Sequence, residues 1–140
     1  MVEQTSRYGI GTVVPLEYAR AVERVKEELT REGFGVLTEI DVAATLKTKL
    51  DVDFRPYVIL GACNPPLAHR ALTMERDIGL LLPCNVIVYA DDTPGQSVVA
   101  ALDPVEALAI AGNSALAPLG DEVRAKLTRA LRAVEEVAGG

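Results

Sequence analysis

The chain has 140 residues, of which 49% are hydrophobic, and its 14 basic and 20 acidic side chains give a net charge of −6. This length predicts a single domain spanning residues 1–140, and the apolar fraction excludes an intrinsically disordered chain. The negative charge argues against nucleic acids and anionic membrane surfaces as partners, because both attract proteins mainly through basic side chains.

Apolar stretches in the sequence are far shorter than the roughly 20 residues of a membrane-spanning helix. The N-terminus, from Met1 to Arg7, is too polar for a signal peptide. We therefore expect a cytoplasmic protein, whose two cysteines are thiols in the reducing cytosol. Asn and Gln are sparse, which is typical of a heat-adapted source.

The first third of the chain predicts two strands separated by a helix. Residues 6–14 alternate between apolar and small side chains, as in a strand, and Pro15 ends them. The following helix has one apolar face and ends at Gly33; that face carries Tyr18, Val22, Val25 and Leu29. A second strand is expected over residues 34–40.

Two shorter helices are predicted on either side of a third strand. Asp41 can cap the first of them, whose buried side would carry Val42, Leu46 and Leu50. Residues 57–62 form an apolar run that is typical of a central strand covered on both faces. Asn64 can cap the next helix, where prolines suit the first turn; its inward side chains would be Leu67, Ala71, Leu72 and Met74.

Two further strands, over residues 84–89 and 97–102, precede the last helical segments. Asp103-Pro104 opens one segment, which Gly112-Asn113 interrupts. From Leu119 a long amphipathic helix closes the chain; its apolar face carries Val123, Leu127, Ala130, Leu131, Val134 and Val137. Strands do not alternate strictly with long helices, so the order favours an α+β fold with a mainly antiparallel sheet of about five strands.

Both cysteines lie in similar motifs at strand ends. Gly61-Ala62-Cys63-Asn64-Pro65-Pro66 follows the third predicted strand, and Leu82-Pro83-Cys84-Asn85-Val86 begins the fourth. If these strands pair antiparallel, facing Cα atoms lie roughly 4.5–5.5 Å apart, within the reach of a disulfide. In a parallel crossover the motifs would lie at opposite ends of the sheet. The motifs therefore form a candidate site if the pairing is antiparallel.

Several roles are open to these motifs. Cys63 as nucleophile and Cys84 as resolving partner would make a thiol or sulfur redox enzyme, although the chain has no Cys-x-x-Cys motif. Free cysteines are among the most buried residue types, so both could equally belong to the core. Asn64 and Asn85 could have a structural role alone, in which Asn64 caps the helix and Asn85 satisfies a backbone group at a strand edge. The helix that starts after Asn64 could hold an anion, or lower the pKa of Cys63, through its free N–H groups.

A metal site has little support in the sequence. Cys63, His69 and Cys84 are the candidate ligands, but they include no compact ligand pair. A small group of basic residues lies between the second and third strands of this acidic chain: Lys47, Lys49 and Arg55. Such a group is usually a solvated helix face, or an anion site if the short helix packs near the cysteines.

These motifs resemble those of a known family. The matching residues cover nearly the whole chain: Gly33-Phe34, Glu39-Ile40-Asp41-Val42, Leu46, Lys49, the two Cys-Asn motifs and Asp103-Pro104. They are similar to the bacterial and archaeal family catalogued as domain of unknown function 302. The resemblance implies a TATA-box-binding-protein-like α+β fold, with a curved antiparallel sheet, and a homodimer. It implies no activity.

We therefore expect a homodimeric cytoplasmic domain that binds a small molecule or anion near Cys63-Asn64 and Cys84-Asn85. Asp41, Lys49 and the helix N-terminus after Asn64 would complete the pocket. The alternatives are the thiol or sulfur redox enzyme and a structural or regulatory dimer with buried cysteines. The sequence names no cofactor.

Overall fold

The computed structural model of the protein describes residues 1–139, with side chains through Glu136. These residues form six strands and five helices: β1 (Glu3–Ser6), β2 (Gly9–Val14), α1 (Tyr18–Arg31), β3 (Gly35–Asp41), α2 (Val42–Leu50), β4 (Tyr57–Cys63), α3 (Pro65–Met74), β5 (Cys84–Ala90), β6 (Ser97–Leu102), α4 (Pro104–Ala109) and α5 (Ala117–Gly139). Short 3₁₀ turns cover Arg76–Leu81 and Ser114–Leu116. Within residues 1–139, no helix is both long and apolar enough to cross a membrane.

The strands form one curved, half-barrel sheet in the order β1-β2-β6-β5-β4-β3, and every neighbouring pair is antiparallel. This confirms the predicted α+β class and the mainly antiparallel sheet. The sheet has one strand more than expected, because residues 3–6 form β1 and pair with β2, which covers most of the strand predicted over residues 6–14. The chain turns at Arg7 and Tyr8, so that Ser6 pairs with Gly9.

The core lies between one face of the sheet and the helices α1 and α5. Alternate residues of the central strands point into it, which gives the pattern of buried and half-buried residues expected for a sheet covered on one face. Helix α1 ends at Gly33, whose φ of 87° suits glycine. The predicted apolar face of α5 is buried at Leu119, Val123, Leu127, Ala130, Leu131 and Val134. The side chain of Val137 lies outside the described residues.

Some side chains that were predicted to be buried are exposed. Leu50 is 65% exposed, and no residue of α2 is buried, because this helix packs mainly against β3 and β4 at the border of the sheet. On α3, Leu67 and Ala71 are buried as predicted, but Leu72 and Met74 are 43% and 42% exposed. Apolar spacing identified these helices correctly, but not how much of each helix its neighbours cover.

The prediction that β4 is covered on both faces is wrong. Val58 and Leu60 face the core, whereas Tyr57 and Ile59 point to the open face of the sheet and are only half-buried. On that face, the rings of Tyr57 and Tyr89 stack with their centroids 5.1 Å apart. Neighbouring side chains within the sheet, not a second layer of helices, cover this part of β4.

Candidate functional site

The register of β4 and β5 brings the two Cys-Asn motifs together. Ala62 faces Cys84, and Gly61 faces Asn85, across adjacent antiparallel strands. Of the two pairings considered from the sequence, the antiparallel one is therefore correct. Both cysteines are free thiols and half-buried. The residue directly opposite Cys84 is Ala62, not Cys63, so the two thiols do not form a facing cross-strand pair.

The two motifs also contact each other through Gly61 and Pro83. A Cβ atom at Gly61 would overlap the hydroxyl oxygen of Thr38 and lie 2.9 Å from Cγ of Pro83. The glycine of the first motif thus makes room for the proline of the second and for a side chain of β3. This close approach positions the end of β4 against the start of β5.

Asn64 occupies the N-cap position of α3, but its side chain makes no capping hydrogen bond. Its Nδ2 instead donates to the backbone oxygen of Glu32, at 3.3 Å, and so joins the start of α3 to the end of α1. The predicted N-cap position is therefore correct, but the side-chain amide joins α3 to α1 and does not cap the helix.

The N-terminus of α3 offers little to an anion. Its first two residues, Pro65 and Pro66, have no backbone N–H. The N–H of Ala68 already donates to the oxygen of Asn64, at 2.8 Å. Among residues 65–68 of the first turn, this leaves the N–H of Leu67 to donate a hydrogen bond to an anion.

An apolar cleft of about 300 Å³ opens between the end of the sheet and helices α3, α4 and α5. Cys63, Asn64 and Cys84 border it, and its other walls are mainly aliphatic. The lining residues include Phe34, Leu37, Ala62, Leu67, Ala68, Ala71, Leu72, Leu82, Leu102, Pro104, Leu108, Leu119 and Val123. Asp103 accepts a hydrogen bond from the N–H of Val105, at 3.0 Å, and so caps α4 at the point where Pro104 enters the cleft wall.

Cys84 is a neutral thiol at physiological pH. Burial, and to a smaller extent the neighbouring Cys63, raise the pKa of Cys84 to about 11. An activated thiolate needs the opposite, a pKa lowered by a nearby positive charge or a helix N-terminus. The environment of Cys84 therefore opposes a nucleophilic or resolving role.

The sequence profile of the family described as "Domain of unknown function DUF302" matches residues 10–134. The chain belongs to the DUF302 family. A crystal structure of an uncharacterized conserved DUF302 protein from Bacillus stearothermophilus superposes on it with a TM-score of 0.85 and 29% sequence identity, over 92% of this chain and 99% of that chain. Among curated proteins, no relative matches.

Asn85 lies apart from the cleft of this DUF302 domain. It follows Cys84 in β5, so its side chain points to the other face of the sheet. There it borders a second, more polar cleft of about 660 Å³, together with Arg7, Tyr8 and Glu106. The segment from Leu81 to Pro83 lines both clefts, as do Leu102 and Ala107, but Asn85 borders only the second. The two Cys-Asn pairs therefore do not form a single pocket.

Asp41 and Lys49 also lie away from the cysteines. Asp41 pairs with Val58, at the end of β3 opposite to Gly35, which pairs with Cys63. Six residues of strand separate the two positions by roughly 20 Å. Asp41 caps α2 by accepting a hydrogen bond from Ala44, at 2.9 Å, and Lys49 is exposed on that helix. The expectation that both residues complete the cysteine pocket is wrong.

Metal ligands are not gathered in the described part of this DUF302 domain. Among residues 1–136, the side chains of His, Cys, Asp and Glu form no group of three that could hold a metal ion. His69 is exposed on α3, and Cys63 and Cys84 border the cleft.

Most of the cleft lining was not predicted as a site. Phe34, Leu67 and Leu108 are ordinary core residues by composition, and no local pattern separates a cleft wall from a core. One signal was available, because Gly33-Phe34 and Asp103-Pro104 are among the motifs that carry the family resemblance. Both motifs contribute to the same cleft as the cysteines.

Proposed function

We propose that this DUF302 domain binds a small molecule in the apolar cleft bordered by Cys63, Asn64 and Cys84. The observation that carries the proposal is the cleft itself, a concave space of about 300 Å³. This volume lies at the lower end of the range of ligand sites in proteins. Five segments that are distant in sequence contribute to its wall, around Phe34, Cys63, Cys84, Pro104 and Leu119.

A thiol or sulfur redox enzyme has less support than a binding protein. The raised pKa of Cys84 keeps its thiol neutral, and Ala62 rather than Cys63 faces it across the strands. A purely structural role for the cysteines also has less support, because both are only half-buried and both border an open cleft.

The proposal can be tested by filling the cleft. Ala68 lines it from α3 and is half-buried, so Ala68→Phe should occupy part of its volume. Ligand-observed NMR with a mixture of neutral, acidic and basic fragments should show a subset that contacts the native protein and loses contact in Ala68→Phe. Ala125→Phe makes the same change at an exposed position of α5 that does not line the cleft, and should keep the contacts. If the same fragments contact Ala68→Phe and Ala125→Phe equally, the proposal is refuted.

We also propose that two copies associate through the segment from β3 to the start of β4. This segment, residues 35–56, carries five large apolar side chains that are 43% to 67% exposed: Leu37, Ile40, Leu50, Val52 and Phe54. β3 is an edge strand. The apolar face of α5, the other surface considered from the sequence, is already used in the core. The charges of the segment are partly compensated within one chain, because Nζ of Lys47 lies 3.0 Å from Oδ1 of Asp51 and 3.3 Å from Oδ1 of Asp53.

Sedimentation equilibrium of the native protein should give twice the mass of one chain. Leu50→Arg should shift the mass to that of a monomer, because association would bury a charged side chain in place of an apolar one. Ile110→Arg places the same charge on another exposed apolar position, outside this segment, and should leave the dimer intact. A native monomer, or a dimer that survives Leu50→Arg, would contradict the proposed interface.

A cytoplasmic location is part of the same proposal. Two unpaired thiols are stable in a reducing compartment, where structural disulfides rarely form. A heat-adapted source, indicated by the sparse Asn and Gln, stays a prediction.

A further inference from the structure

The walls of the cleft restrict the chemistry of what can bind there. The chain carries 34 Asp, Glu, Lys and Arg side chains, 14 basic and 20 acidic. None of the residues that line the cleft is among them. The neighbouring second cleft shows the contrast, because Arg7 and Glu106 both border it. The absence of charge is thus a property of this cleft and not of the whole end of the sheet.

The few polar groups at the cleft are poor partners for an ion. The amide nitrogen of Asn64 is engaged by the oxygen of Glu32. Pro65 and Pro66 remove two donors from the first turn of α3. An ionised ligand would lose its hydration in the cleft without a counter-charge, which is unfavourable.

We infer that the ligand of this cleft is an uncharged, largely hydrocarbon molecule. This inference rests on the proposed binding function and excludes the anion considered from the sequence. The volume of about 300 Å³ is twice that of an engineered cavity of about 150 Å³ that binds benzene, so a molecule with two or three aromatic rings or a short alkyl chain has the right size for this open cleft. Leu72 borders the cleft and is 43% exposed, so a bound hydrocarbon would also cover it.

Two dyes that differ by one sulfonate group can test this inference. N-phenyl-1-naphthylamine is neutral, and 8-anilino-1-naphthalenesulfonate carries a sulfonate on the same ring system. Fluorescence titration of the native protein should show saturable binding of the neutral dye, at least about tenfold tighter than that of the sulfonate, since the buried charge would be unpaired. Ala68→Phe should abolish this binding, and Ala125→Phe should preserve it.

A substitution at the exposed rim provides a second test that does not depend on repacking the core. Leu72→Arg places a cation at the mouth of the cleft, where its exposure makes the change tolerable for folding. It should weaken binding of the neutral dye and strengthen binding of the sulfonate. Leu72→Arg should therefore bind the sulfonate more tightly than the neutral dye, which is the reverse of the order expected for the native protein.

The outcomes separate this inference from the proposed function. Equal or tighter binding of the sulfonate to the native protein, still lost in Ala68→Phe, would overturn the uncharged ligand and leave the binding function standing. Failure of the neutral dye to bind, while fragments still distinguish Ala68→Phe from Ala125→Phe, would also overturn the inference alone. If neither dyes nor fragments distinguish the two variants, the proposed function fails as well.

Discussion

Native Cys84 is expected to react with iodoacetamide about 100-fold more slowly than the same cysteine in the unfolded chain at pH 8. The reagent attacks the thiolate, and a pKa raised from 9.0 to about 11 lowers the thiolate fraction about 100-fold. The rate should rise about tenfold per pH unit and level off near pH 11. The measurement uses Cys63→Ser, in which Cys84 is the only cysteine, with the urea-unfolded variant as the reference. This substitution removes the smaller cause of the shift and keeps burial, the larger one.

An equilibrium measurement separates the raised pKa from simple steric shielding of the thiol. Because the pKa of Cys84 is higher in the folded than in the unfolded state, its contribution to stability is fully present below about pH 9. It is lost as the pH rises through about 11, and amounts to about 3 kcal/mol for a shift of this size. Tyr18 and Tyr57, whose pKa values burial also raises, act in the same direction at higher pH.

Comparison with Cys84→Ala isolates the contribution of the thiol. Urea unfolding at pH 8, 9, 10 and 10.5 should show a steeper loss of stability in the native protein than in this variant. A native Cys84 that reacts at pH 7 as fast as in the unfolded chain, or a pH dependence unchanged by Cys84→Ala, would contradict the raised pKa. The first of these results would favour the thiol enzyme over the binding protein.

Gly61→Ala is expected to destabilise the protein by about 1–3 kcal/mol, the usual cost of overpacking. The added methyl group would overlap Thr38 Oγ1 and crowd the ring of Pro83. Gly35→Ala, on the paired strand β3, is the matched control. Its new Cβ would meet only the backbone oxygen of Cys63, at 4.0 Å, so this change should be neutral or slightly stabilising. Urea unfolding of both variants measures the difference.

A double-mutant cycle tests the proposed cause of the Gly61 effect. Thr38 is exposed, so Thr38→Ala alone should change stability little. Combined with Gly61→Ala, it removes the overlapping hydroxyl and should restore part of the lost stability, leaving the cost of the Pro83 contact. Additive effects of the two substitutions would show that the crowding around Gly61 has another origin.

Local patterns in the sequence predicted the elements of the fold well. The predicted bounds of β4, β5 and β6 agree with the structure to within one residue, and helical spacing located α1 and α5. Asp41 and Asp103 were predicted as caps, and both accept a backbone hydrogen bond at a helix start. These predictions succeeded because periodicity and capping depend on residues within a few positions of each other in the chain.

The sequence by itself was enough to identify the two Cys-Asn motifs and the family resemblance. What surrounds these motifs was decided by the tertiary structure. Only the register of β4 against β5 places Ala62 opposite Cys84 and sends Asn85 to the other face. Only the packing of α3, α4 and α5 against the end of the sheet makes a cleft from residues that are ordinary core residues by composition. The same packing leaves Leu50 exposed. Burial and proximity depend on neighbours far away in sequence, and a local pattern contains no information about them.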